Sequence, residues 1–155
     1  MRIWVDADAC PVAIKEILFR TSKRLELPVI LVANQRMEIP KSDLVKLITV
    51  PQGADVADDK IVQLVAEGDL VVTADIPLAA RVVEKNAIAL GPRGEVYDDK
   101  NVHERLAARD LMEQFRSFGM ETSGPPPLAK RDIQDFANGL DRTITRLRKL
   151  HSKPE

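Results

Sequence analysis

The chain reads as an α/β protein whose parallel sheet is covered by helices on both faces. Short apolar runs recur up to Leu90, continuous rather than alternating, as expected of strands buried on two sides. Segments with helical periodicity separate several of them, which is the alternation that builds parallel sheets. At 155 residues there is room for one domain with a substantial core.

"RIWV" at 2–5 is the first strand, and Pro11 suits the first position of the helix that follows. Ile14, Ile17, Leu18 and Leu25 recur along that helix at core spacing. "PVILVA" at 28–33 is a second strand, "LITV" at 47–50 a third and "DLVVTA" at 69–74 a fourth. Between the last two, Ile61, Val62, Leu64 and Val65 mark a helix ended by Gly68. A helix over about 77–85 leads to a fifth strand, "AIAL" at 87–90, and "GPRGEVYDD" at 91–99 is a turn with room for a short hairpin strand. Helix returns over about 100–118, with Val102, Leu106, Leu111, Phe115 and Phe118 expected inward. "TSGPPPL" at 122–128 is a stiff connector. The final helix carries Ile133, Phe136, Leu140, Ile144 and Leu147 on one narrow stripe, which must dock on the body or on a second copy of the chain.

Composition excludes several classes. Hydrophobic and charged contents of 45% and 30% are those of a soluble globular protein. Aromatics at 4% advertise no platform for stacking bases, and a net charge of −1 creates no global field toward polyanions or membranes. Acids concentrate in the body and bases in the tail. One cysteine, Cys10, excludes an internal disulfide and suits a reducing compartment. No secretory signal or membrane-length apolar run is visible, so a cytoplasmic protein is expected.

Ligands of open parallel sheets sit beyond the carboxyl ends of the strands, at the switch in strand order. Asp6 and Asp8 follow the first strand, Asp75 follows the fourth, and Asp55, Asp58 and Asp59 open the helix after the third. All lie at one edge of the sheet. Asp58 lies in line with the buried stripe of its helix, whereas Asp59 points toward solvent. Crowded carboxylates repel, and Mg2+ or Mn2+ held by a few of them with water filling the remaining positions suits phosphoryl chemistry. Asp6, Asp8, Asp55, Asp58 and Asp75 are the candidate metal ligands. Helix caps compete with that assignment: Asp55, Asp8 and Asp75 each precede a helix start. Asp6 extends a buried strand and caps nothing obvious.

Cys10 has no histidine near it in sequence and reads as a small buried thiol. Asp98 and Asp99 read as a cap. Arg142, Arg146 and Lys149 follow helical spacing on the last helix, and Lys130 and Arg131 lie just after the prolines. Such a run suits a solvated face, and equally a rail for the phosphates of a nucleic acid.

"VDADACPV", "GADVADDKIV", "VVTADIPLA", "TSGPPPLAKRD" and "FANGLDR", in that order and over nearly the whole chain, resemble the YaiI/YqxD family of bacterial proteins. The resemblance places the chain among PIN-like nuclease domains. It implies a three-layer fold over residues 1–120, a parallel sheet of order 3-2-1-4-5, and a C-terminal helical extension over 121–155. It also implies an acidic divalent-metal site in which Asp6, Asp58 and Asp75 are the catalytic acids. Asp58 stands where the broader superfamily more often has a glutamate, and Asp8 and the extension belong to the narrower family pattern.

A metal-dependent phosphodiesterase acting on RNA is therefore the leading expectation. A nucleic-acid-binding or regulatory module without turnover is the alternative, and a homodimer through the last helix is compatible with either. A haloacid-dehalogenase-like phosphatase, suggested by Asp6-x-Asp8, ranks third. That fold wants a later acidic pair ending a strand, whereas here "GD" at 68–69 precedes the fourth.

Overall fold

The computed structural model describes residues 1–119 and 126–151. Six strands form one sheet of order β3-β2-β1-β4-β5-β6. They are β1 (Ile3–Asp6), β2 (Val29–Ala33), β3 (Val45–Thr49), β4 (Leu70–Val72), β5 (Ile88–Leu90) and β6 (Val96–Tyr97). Five helices accompany them: α1 (Val12–Leu25), α2 (Val56–Leu64), α3 (Ile76–Val83), α4 (Val102–Ser117) and α5 (Lys130–His151).

Strands β1 to β5 are parallel, in the expected order, but the sheet is mixed because β6 runs antiparallel along the β5 edge. An antiparallel neighbour needs only a tight turn, where a parallel one needs a long crossover. The "GPRG" turn supplies it. Gly94 takes φ +90, and its N–H bonds the Gly91 carbonyl at 3.0 Å, reversing the chain within four residues.

Alternation along β1 sends its side chains into two cores. Ile3 and Val5 join Val29, Leu31 and Ala33 of β2 beneath α1 and α5. Trp4 joins Ile30, Val32 and Val71 beneath α2, α3 and α4. The result is three layers, helix–sheet–helix. The stripe of α5 is buried in the first core, with Phe136 0% exposed and Leu140, Ile144 and Leu147 nearly so. Its charged side chains remain outward, together with Leu150, 57% exposed near the end of the helix. Most of the Pro-rich connector, over 122–125, lies outside the described residues, as does Lys153.

Helix α4 departs from expectation. It packs on α3 through its first turns, burying Val102, but Leu111 is 51% and Phe118 81% exposed. Among the described residues the core reaches only the first turns of the helix, so the apolar positions Leu111 and Phe118 stay exposed. No described helix is long and apolar enough to cross a membrane.

Asp69, of the "GD" pair, is a buried carboxylate at the opposite edge of the sheet from the other aspartates. It accepts from the Arg2 and Ala66 N–H groups and from Trp4 Nε1, each at 3.0 Å, and pairs with the Arg2 guanidinium at 3.2 Å. A buried carboxylate so fully bonded serves the fold.

Candidate active site

The site is built from the ends of the two central strands. β1 pairs with both β2 and β4, so the strand order reverses there and a crevice opens beyond the carboxyl ends. Asp6 ends β1, Thr73 directly follows β4, and Asp75 precedes α3. The buried Thr73 hydroxyl donates to Asp6 Oδ2 at 3.1 Å and accepts from the Asp75 N–H at 3.0 Å. Its only proton thus goes to Asp6. Thr73 stitches the two strand ends together.

Asp75 is the helix cap that its sequence position allowed. Its Oδ1 accepts from the Leu78 N–H at 3.0 Å, and Pro77 stands in the first turn. Asp55 is not a side-chain cap. It begins α2 in the left-handed region, at φ 64, and its carboxylate accepts no capping hydrogen bond. Asp8 does not cap α1 either. It sits in the short 3-10 turn after β1 and accepts from the Asn34 N–H at 2.7 Å, tying the end of β1 to the end of β2. Asp98 does act locally, accepting from the Lys100 and Asn101 N–H groups before α4.

Electrostatics group these acids more tightly than the hydrogen bonds do. Burial pushes the Asp58 carboxyl up to about 6, with the negative charges of Asp75, Asp6 and Asp55 adding to it and Arg81 opposing. Asp6 is raised as well, by burial first; the Thr73 hydrogen bond opposes, and Asp75 and Asp8 add smaller repulsions. No described cation forms an ion pair with Asp6, Asp58 or Asp75; Arg81 is paired instead with the exposed Asp59 at 2.8 Å. No three described His, Cys, Asp or Glu side chains converge into a closed ligand set. The carboxylates feel one another's charge without forming such a set.

A cavity of about 10 Å3 lies beside Asp6, walled by Cys10, Thr73 and Pro92. That is room for about one water. Burial pushes the Cys10 thiol up to about 12, so it is protonated and unreactive at neutral pH.

The basic residues lie elsewhere. Lys130 begins α5, and Arg131 is almost wholly exposed, 3.9 Å from Asp135. Arg142, Arg146 and Lys149 line an outward depression of about 610 Å3 that also includes Asp141. None of them borders the cavity beside Asp6.

Residues 4–146 match the family model described as "Uncharacterized BCR, YaiI/YqxD family". A UPF0178 protein of Hydrogenovibrio crunogenus is 56% identical over 146 residues, covering 94% of this chain and 97% of its own. UPF0178 proteins of Shewanella amazonensis and Cronobacter sakazakii are each 54% identical, over 149 and 145 residues, covering 96% and 94% of this chain and 100% and 96% of theirs. No solved structure matches the chain. The matched span runs from β1, which carries Asp6, well into α5, so crevice and extension fall together within it: the chain belongs to the YaiI/YqxD family.

Proposed function

We propose that the crevice is the metal-dependent phosphodiesterase site of a PIN-like nuclease, with RNA as substrate. One observation carries the reading: Asp6, Asp58 and Asp75 repel one another at the switch point of the sheet without an ion-paired cation. A protein does not gain stability from such a group, so it is best explained by a cation that joins it.

The donors fit Mg2+ or Mn2+ in the open manner those ions favour, with one or two carboxylates and water completing the shell. When bound, such an ion lowers the pKa of water and offsets the charge of the phosphoryl transition state. The chain's own residues do the rest. Asp6, fixed by a buried strand and by Thr73, and Asp75, fixed by the first turn of α3, present rigid oxygens across the crevice. Asp58, with its carboxyl pushed up to about 6, accepts or releases a proton near neutrality beside them. Asp8 holds the rim through Asn34, and Asp55 adds negative charge from the start of α2.

The test combines calorimetry with turnover. Asp6→Asn and Asp75→Asn should each abolish tight Mn2+ binding, and Asp6→Asn should lower Mn2+-dependent cleavage of single-stranded RNA by several orders of magnitude. Asp8→Asn should cost only about 10–100-fold, the usual effect of a group that orients rather than ligates. Unchanged Mn2+ affinity in both variants would sink the site. Wild-type protein that holds RNA without cleaving any phosphodiester would leave a binding module in its place, and a covalent aspartyl-phosphate on Asp6 would make it a phosphatase.

A further inference from the structure

Helix α1 is flanked on its outer surface by two grooves. On one side lies α5, whose Ile133 and Ala137 meet Ile17 at the floor of a groove of about 440 Å3 rimmed by Arg20, Arg24 and Lys130. On the other lies the non-helical crossover from β2 to β3. Met37 and Ile39 of that crossover pack into the α1 core, and Lys15 Nζ lies 3.8 Å from Met37 Sδ. There Phe19, Pro40, Arg20, Lys23 and Lys41 bound a second groove of about 400 Å3. Arg20 lines both, so the two grooves adjoin at that residue and mark a path over the helix.

No carboxylate lines either groove, although the chain as a whole carries a net charge of −1. Arg24 is paired with Asp141 at 3.1 Å, but no ion pair engages Arg20, Lys23, Lys41 or Lys130. Four unneutralised cations along two adjoining grooves attract a polyanion. Phe19, one of few aromatics in the chain, is half-buried against the core under α1 and lines the second groove together with Arg20, Lys23, Lys41 and Pro40. Planar apolar surface between cations suits a base flanked by phosphates, and a base is free to stack only in a single strand.

We propose that this path binds single-stranded nucleic acid, with Arg20, Lys23, Lys41 and Lys130 on the phosphates and Phe19 against a base. The proposal deepens the nuclease reading and rests on it for the choice of RNA as the probe. Binding measured without metal keeps the two separable.

Anisotropy of a labelled, short single-stranded oligoadenylate, titrated with the intact chain in EDTA, provides the test. Joint replacement R20Q, K23Q and K41Q should weaken binding at least tenfold at low salt without shifting Tm, because all three side chains are exposed. The log–log salt slope should fall by about two, since each single-strand phosphate contact contributes about 0.7. Phe19→Leu should keep the slope and lose the preference for oligoadenylate over inorganic polyphosphate. Binding unchanged in the triple variant, or lost only on R142Q, R146Q and K149Q, would overturn the path. Equal competition by oligoglutamate would make it a surface for acidic peptides, and the proposal would fall. A failed Mn2+ titration alongside intact, groove-dependent RNA binding would remove the crevice reading and leave the path standing.

Discussion

Asp58 concentrates the cost of the crevice in one side chain. Its carboxyl is pushed up to about 6, above the value of about 3.9 for a free aspartate in the unfolded chain. Between about pH 4 and 6 the native state holds a proton that the unfolded chain has lost. Stability from this group therefore falls as pH rises through that window, and the penalty is complete above about 6. Asp58→Asn should flatten that part of the profile and raise the metal-free Tm at pH 7 by about 2–4 °C, a modest shift because the carboxyl is partly solvated. Thermal unfolding of both proteins between pH 4 and 8 checks this, and an unchanged profile would mean that Asp58 feels neither burial nor its neighbours. With Mn2+ the sign reverses: affinity should rise with pH through about 6, because the ion binds the ionised form. Asp75→Asn is a fair companion, since asparagine caps a helix about as well as aspartate and the variant should fold.

Among the elements, the β5–β6 turn and α5 hold each other. Arg93 donates to Asp132 at 2.7 Å and to the Pro126 carbonyl, while Asp132 also accepts from the Ala129 N–H at the start of α5. Three stretches that looked separate in sequence, "GPRGE", "PPLAKRD" and "FANG", meet here: a Cβ on Gly139 would lie 3.1 Å from the Gly94 carbonyl. A Cβ on Gly94 would come within 2.6 Å of the Asp135 backbone oxygen, and φ there is +90. Gly94→Ala should therefore be far worse than Gly119→Ala, which has a similar φ of +78 but open space around it. The second should lose only about 1–2 kcal/mol for the left-handed backbone. The first adds a clash with main chain that cannot rotate away. Denaturant unfolding of the pair separates strain from collision, and equal losses would show that α5 yields to the turn. Pro92 of the same turn walls the cavity beside Asp6, which joins the docking of α5 to the crevice.

Over the whole molecule, α5 completes one of the two cores rather than decorating a finished domain. Phe136 is fully buried against strands from the first half of the chain. Phe136→Ala should cost about 3–5 kcal/mol, the usual loss for deleting a core aromatic. Phe118→Ala, at 81% exposure at the far end of α4, should stay within about 0.5 kcal/mol. Chemical denaturation monitored by Trp4, which lies in the opposite core, should report the Phe136 loss as one cooperative transition. A separate early transition for α5 would mean that the extension folds apart from the sheet.

Periodicity and strand ends are local properties, and they carried a long way. Five parallel strands, the stripes of α1, α2 and α5 and the gathering of Asp6, Asp58 and Asp75 at one edge were all legible, because a parallel strand that ends in an acid has only one edge at which to leave it. Hydrogen-bond partners are not local. Thr73 reaches Asp6 across 67 positions, and Asp69 reaches Trp4 across 65. No window of sequence could therefore tell a carboxylate left free in the crevice from one satisfied in the core. The same limit hid the reversal of β6, the exposed far end of α4 and the failure of Asp55 and Asp8 to cap. Each turns on what another element places nearby. The basic path over α1 is the clearest case. Arg20, Lys23, Lys41 and Lys130 are unremarkable charges until the β2–β3 crossover and α5 settle on either side of one helix and form two grooves that no carboxylate lines.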